Sequence, residues 1–112
     1  EVDFSYRAFL RGKKSMFFSE YSIVHLGGGS SSKVKAKRMF YYLRSKLIYA
    51  ELHFKHYKFI IFYFMVVFIE PLTRLVKSLY QFNFSESRET LIAFSLLYKW
   101  ILSTITTFKK II

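Results

Sequence analysis

Glu1 and Asp3 open the chain two residues apart, and Arg7 follows one helical turn after Asp3. Acids in the first turn of a helix sit where the backbone dipole favours negative charge. Asp3 and Arg7, at i and i+4, predict an ion pair of about 0.2–0.5 kcal/mol. A lone histidine, His25, stands at the lip of Gly27-Gly28-Gly29-Ser30-Ser31-Ser32. A glycine loop that leads into a helix offers backbone N–H groups to a phosphate. No Gly-Lys-Ser/Thr follows, so it is not a P-loop. Acid, histidine and glycine loop are together the parts of a site that handles an anionic, metal-bound leaving group. The bland readings of the same residues are a helix-capping acid, a structural histidine and a plain linker.

The elements that must position these groups change character along the chain. Asp3 to Leu10 reads as a short helix, with Phe4 and Ala8 one turn apart and Gly12 as its stop. Met16 to Phe18 and Ser22 to Val24 read as two short strands of a small hairpin. The Gly/Ser run over 27–32 is the one low-complexity stretch and the expected internal boundary. From Lys33 the period is helical, with Ala36, Met39, Phe40, Leu43, Leu47, Ala50 and Phe54 on one apolar stripe. Lys35, Arg38, Tyr42, Lys46, Tyr49, His53 and His56 fall on another face. Phe59 to Ile69 is apolar all round, and Pro71 fits the first turn of a further helix striped by Leu72, Leu75, Val76 and Leu79. Asn83 to Ser87 is a polar break, with Ser85 or Ser87 as the expected cap of a last helix.

Composition narrows the partners. Of 112 residues, 53% are hydrophobic and 21% aromatic, more apolar surface than a chain of this length can hide. Part of it is expected to meet another domain or a lipid surface. Net charge is +11, which suits nucleic acid, anionic lipid or a phosphorylated substrate. Eight Lys and Arg between Lys33 and Lys58 face Glu51 alone, next to the apolar run. A basic amphipathic helix on an anionic membrane surface is the expected meaning, with no specific nucleic acid. No cysteine is present, which excludes disulfides and Cys-based zinc sites. Phe59 to Ile69 is eleven residues, short of the roughly twenty needed to span. Thr90 to Phe108 is long enough, but Lys99 at its middle costs about 2.5–3.5 kcal/mol on insertion. Interfacial helices are therefore expected.

The order Glu1-x-Asp3-Phe4-x-x-Arg7, Arg11-Gly12, a short hairpin, Val24-His25 and a Gly/Ser loop resembles the end of the catalytic domain in family 2 glycosyltransferases. These are inverting enzymes of GT-A type, and the likeness is to the bacterial rhamnosyl- and galactofuranosyl-transferases. Phe40-Tyr41-Tyr42-Leu43-Arg44-Ser45 is similar to the family's aromatic-x-x-Arg-Asn/Ser helix, so the resemblance runs from Glu1 to about His53. The family's first acid, its Asp-x-Asp metal motif and its nucleotide-binding strands do not occur in these residues. The chain opens on the acid with no initiator Met, so it is expected to be the C-terminal piece of a longer protein and inactive alone.

The resemblance implies an α/β fold over residues 1–32, a short helix plus a small hairpin, then a mostly helical, basic-amphipathic, membrane-associated region over 33–112. It implies Glu1 as the general base that takes the acceptor hydroxyl proton. His25 becomes a ligand of Mg²⁺ or Mn²⁺ beside the donor diphosphate. Asp3, Gly27, Gly28 and Arg44 become substrate-binding residues, with the Gly/Ser loop a donor-side lid and Arg44 a phosphate or acceptor contact. The implied partners are a nucleotide-sugar donor and a glycan or lipid-linked acceptor, at the cytoplasmic face of the cell membrane. The rival expectation is a non-enzymatic basic helical module that binds anionic membrane or nucleic acid.

Overall fold

The structure, a computed structural model, describes residues 2–16, 18–20, 22 and 34–109. Its regular elements are α1 (Val2–Leu10), α2 (Lys35–His53), α3 (His56–Phe64), a π-helical segment (Met65–Ile69), α4 (Glu70–Tyr80) and α5 (Phe84–Lys109). Among the described residues there is no strand. The expected α/β fold with a hairpin is thus corrected to a helical bundle. Met16, Phe18 and Ser22, drawn from the two expected strands, are irregular, and Met16 and Phe18 are exposed. The physical reason is missing cover. A lone two-stranded hairpin is marginal in water without a third strand or a helix on its apolar face, and among the described residues nothing covers Met16 or Phe18.

The α2 stripe reads as expected. Ala36, Leu43, Leu47 and Ala50 are buried, and Met39 and Phe40 pack half-buried beside them. Leu43 and Leu47 meet Phe94 and Leu97 of α5 and Val66 and Val67 of the π segment, and these six residues form the core. α5 packs along both α2 and α4, and α3 folds back on α2. The N-terminus of α2 has no side-chain cap of its own; Ala36 N–H donates instead to Glu89 Oε2 of α5 at 2.9 Å. That bond satisfies an orphan amide and fixes the register of the two helices.

α3, the π segment and α4 run on as one helix from His56 to Tyr80, 25 residues. The apolar run is therefore less than half of a longer helix. Pro71 is the reason the helix widens at its middle. Its ring clashes with the carbonyl four residues back, Val67, and it has no N–H to donate there. The π turn opens that spot, and Tyr98 Oη–H of α5 donates to the Val67 carbonyl at 2.9 Å.

α1 and α4 end alike. Lys13 N–H bonds Ala8 O and Gly12 N–H bonds Phe9 O; Asn83 N–H bonds Ser78 O and Phe82 N–H bonds Leu79 O. Both are Schellman closures with a left-handed residue at the end. In α1 that residue is the expected Gly12 (φ 71°), and in α4 it is Phe82 (φ 52°). The cap of α5 falls earlier than expected, at Asn83. Asn83 Oδ1 accepts from Glu86 N–H at 3.1 Å, and its Nδ2 donates back to Glu86 Oε2 at 3.3 Å. The Asn83 side chain thus caps α5, and the Glu86 carboxylate holds it in place. Ser87 turns inward instead, its hydroxyl 2.7 Å from that of Ser78.

Candidate functional site

Asp3 lies in the first turn of α1, where the dipole suits it. The expected ion pair forms, Arg7 Nε to Asp3 Oδ2 at 2.9 Å. The second partner comes from fifty residues away: His53 Nε2 and Asp3 Oδ1 are 2.7 Å apart. An ionised carboxylate only accepts, so the imidazole N–H donates. The His53 hydrogen bond holds the Asp3 carboxyl below its usual range, partial burial opposes it, and the Arg7 charge adds to the lowering. Tyr6 of α1 and Tyr49 of α2 flank the imidazole, with ring centroids at 4.8 and 4.6 Å. The acid-bearing helix is thus seated on the C-terminal end of α2.

Glu70 is the second charged node. Its Oε2 accepts from Lys46 Nζ of α2 at 3.0 Å, and its Oε1 from Arg74 Nε and Nη2 at 3.1 and 2.7 Å. Burial alone would raise this carboxyl; the hydrogen bonds and charges of Arg74 and Lys46 outweigh it and hold the group low. Lys46 also lies 5.0 Å from the Tyr42 ring. Further along, Lys35, Arg38 and Arg74 with Glu86 and Glu89 line an open polar cleft of about 690 Å³ between α2, α4 and α5.

Arg44 does not line this cleft. Its guanidinium lies over Trp100 of α5, 5.4 Å from the ring centroid, and its Nε is buried without a hydrogen-bond partner among the described residues. Glu1, His25, Gly27 and Gly28 lie outside the described residues. The implied divalent metal rests on His25 for its nitrogen ligand. Among the described residues no three His, Asp or Glu gather to hold a metal, and Asp3 is already engaged by the Arg7 guanidinium and the His53 imidazole.

Sequence reasoning missed both nodes' long-range partners. Glu70 and Arg74 stand at i,i+4 and were open to reading; His53 gave no local signal that an acid fifty residues earlier would reach it. Comparison with family models, with characterised proteins and with solved structures matched none of them to this chain.

Proposed function

We propose that this chain is a membrane-seated part of an inverting, nucleotide-sugar-dependent glycosyltransferase acting on a membrane-borne glycan or lipid-linked acceptor. The observation that carries the membrane seat is the outer side of the His56–Tyr80 helix. Ile60, Phe64, Phe68, Leu72, Val76 and Tyr80, each four residues after the last, are between 52% and 86% exposed. Steps of four drift by about 40° each around an α-helix. The wide turn at Met65–Ile69 winds part of that drift back, so the six side chains stay on one side. Its opposite side is protein-facing, with Val66 and Val67 in the core and Glu70 reaching Lys46. By length and composition the helix could cross a bilayer. One protein-facing side carrying an ion cluster and one apolar side suit a helix lying in the interface. Tyr80, Phe82 and Phe84 add exposed rings at the α4–α5 turn, and Tyr80 is of the type favoured at headgroup depth.

The transfer reading is supported by the motif order from Glu1 to the Gly/Ser loop and by Phe40–Ser45. In it Glu1 is the base, His25 the metal's nitrogen ligand, and the metal supplies charge stabilisation to the leaving diphosphate. A transferase assay on the full-length protein with nucleotide-sugar donors and vesicle-borne acceptor tests it. Glu1→Gln should lower turnover about 10²–10⁴-fold while leaving donor binding intact; turnover within a few-fold of the parent removes Glu1 as the base. Absence of transfer, with tight membrane or nucleic-acid binding retained, favours the non-enzymatic basic module.

A further inference from the structure

α1 has no fully buried residue and only Tyr6 and Ala8 among its apolar side chains are half-buried, so little apolar burial holds it on the bundle. It is held by the Asp3–His53 hydrogen bond and by Tyr6 set against Tyr49 and His53. The His53 side chain is only 15% exposed; its ring meets Tyr6 edge-on and Tyr49 at a tilt, and its Nε2 lies against one carboxylate oxygen of Asp3. Arg7, the other partner of Asp3, is on α1 itself and fixes nothing between helices. Among the described residues His53 is therefore the polar link between the helix that carries the acid motif and the rest of the bundle.

We infer that His53 is a positioning residue: its imidazole clamps Asp3, and with it α1, onto α2, so that the acid motif keeps a fixed place relative to the membrane-seated helices. The consequence for transfer rests on the glycosyltransferase reading above; the clamp itself does not. A reacting group displaced by about 1 Å can lose 10²-fold in rate, so a link this far from any bond being made can still set turnover. His53 touches no substrate in this role. Gln at 53 can offer an amide N–H to the same carboxylate oxygen but lacks the ring that fills the space between Tyr6 and Tyr49.

The test uses the full-length protein with His53→Ala and His53→Gln, read by two measurements. Hydrogen exchange of the α1 amides should rise at least about tenfold in His53→Ala, with α2 and α5 unchanged, and return towards the parent in His53→Gln. Turnover should fall about 10–100-fold in His53→Ala with donor KM within twofold, and recover in part in His53→Gln. Unchanged exchange in α1 overturns the clamp whatever the activity does. Faster exchange in α1 with unchanged turnover overturns the positioning role. If the parent transfers no sugar, the glycosyltransferase reading fails and the positioning role fails with it, while exchange in α1 still judges the clamp.

Discussion

Two helix faces in this molecule carry the opposite of what their polarity leads one to expect. The polar stripe of α2, Lys35 to His53, looks like a solvated or lipid-facing surface, yet much of it serves other helices. Lys46 meets Glu70 of α4, and Tyr49 and His53 receive α1. Lys35 and Arg38 share a cleft with Glu86 and Glu89 of α5. The apolar stripe of the His56–Tyr80 helix looks like core, yet it is exposed along its length. The charge of α2 thus joins helix to helix, while the apolar stripe stays exposed. A membrane seat built this way depends more on apolar burial than on charge and should survive salt that screens exposed charges beyond about 10 Å.

The comparison breaks most directly where the two regions join. Leu97 is fully buried against the α2 stripe and the π segment. Leu97→Ala should cost about 2–5 kcal/mol in urea unfolding; a loss under 1 kcal/mol would mean that α5 does not bind the two regions together. Next is the stripe itself. Phe64 and Phe68 are about half exposed and tilt against each other at 5.1 Å. Phe64→Ser with Phe68→Ser should lower partition onto anionic vesicles by about 30–160-fold, from roughly 1–1.5 kcal/mol of lost burial each. Stability should move by under about 1 kcal/mol. Unchanged vesicle binding would place lipid contact elsewhere, and collapse of the fold would show that the stripe is core after all.

Glu70 sharpens the polar half of the comparison. It ties α2 to α4 from a side chain only 17% exposed. Glu70→Gln should cost about 1.5–3 kcal/mol at pH 7, the range for hydrogen bonds to charged groups. The pH dependence follows from the same pairing. Glu70 and Asp3 both hold their carboxyls low, so the unfolded chain binds more protons as pH falls through the carboxylate range. Their contribution is complete above about pH 4–5 and is lost as pH falls through the lowered folded values. Urea unfolding at pH 7 and pH 3 should show a smaller acid loss in Glu70→Gln than in the parent. Equal losses would mean that the Lys46–Glu70–Arg74 cluster adds nothing net.

What the sequence revealed and hid follows from how local each signal is. The α2 stripe, the stop at Gly12 and the Asp3–Arg7 pair are read within one or two turns, and all three stand. The hairpin failed because strand propensity at Met16–Phe18 says nothing of whether a sheet exists to receive it. The separate helix expected to start at Pro71 instead continues the apolar run as one helix, His56 to Tyr80. The cost of Pro71 is met by a π turn and by Tyr98, 31 positions from the carbonyl that it serves. Of the candidate site, Asp3's own helix was legible, but its principal partner His53 was not. Arg44 was read as a ligand contact and lies against Trp100.

The smallest expected effect compares two helix ends of the same geometry. At Gly12 the left-handed turn is free of steric cost, because no Cβ meets the following carbonyl. At Phe82 the same turn carries a side chain that costs about 1–2 kcal/mol in that conformation, and the ring is 82% exposed, so packing in the protein returns little of it. Phe82→Gly should relieve that strain but enlarge the entropy of the unfolded chain by about 0.4–1 kcal/mol. The net expectation is a gain of a few tenths to about 1 kcal/mol. If the ring is there for the membrane, like Tyr80 and Phe84 beside it, the more stable variant should bind anionic vesicles more weakly. Greater stability with unchanged vesicle binding would leave the strained Phe82 without a lipid role and would end the apolar surface at Tyr80.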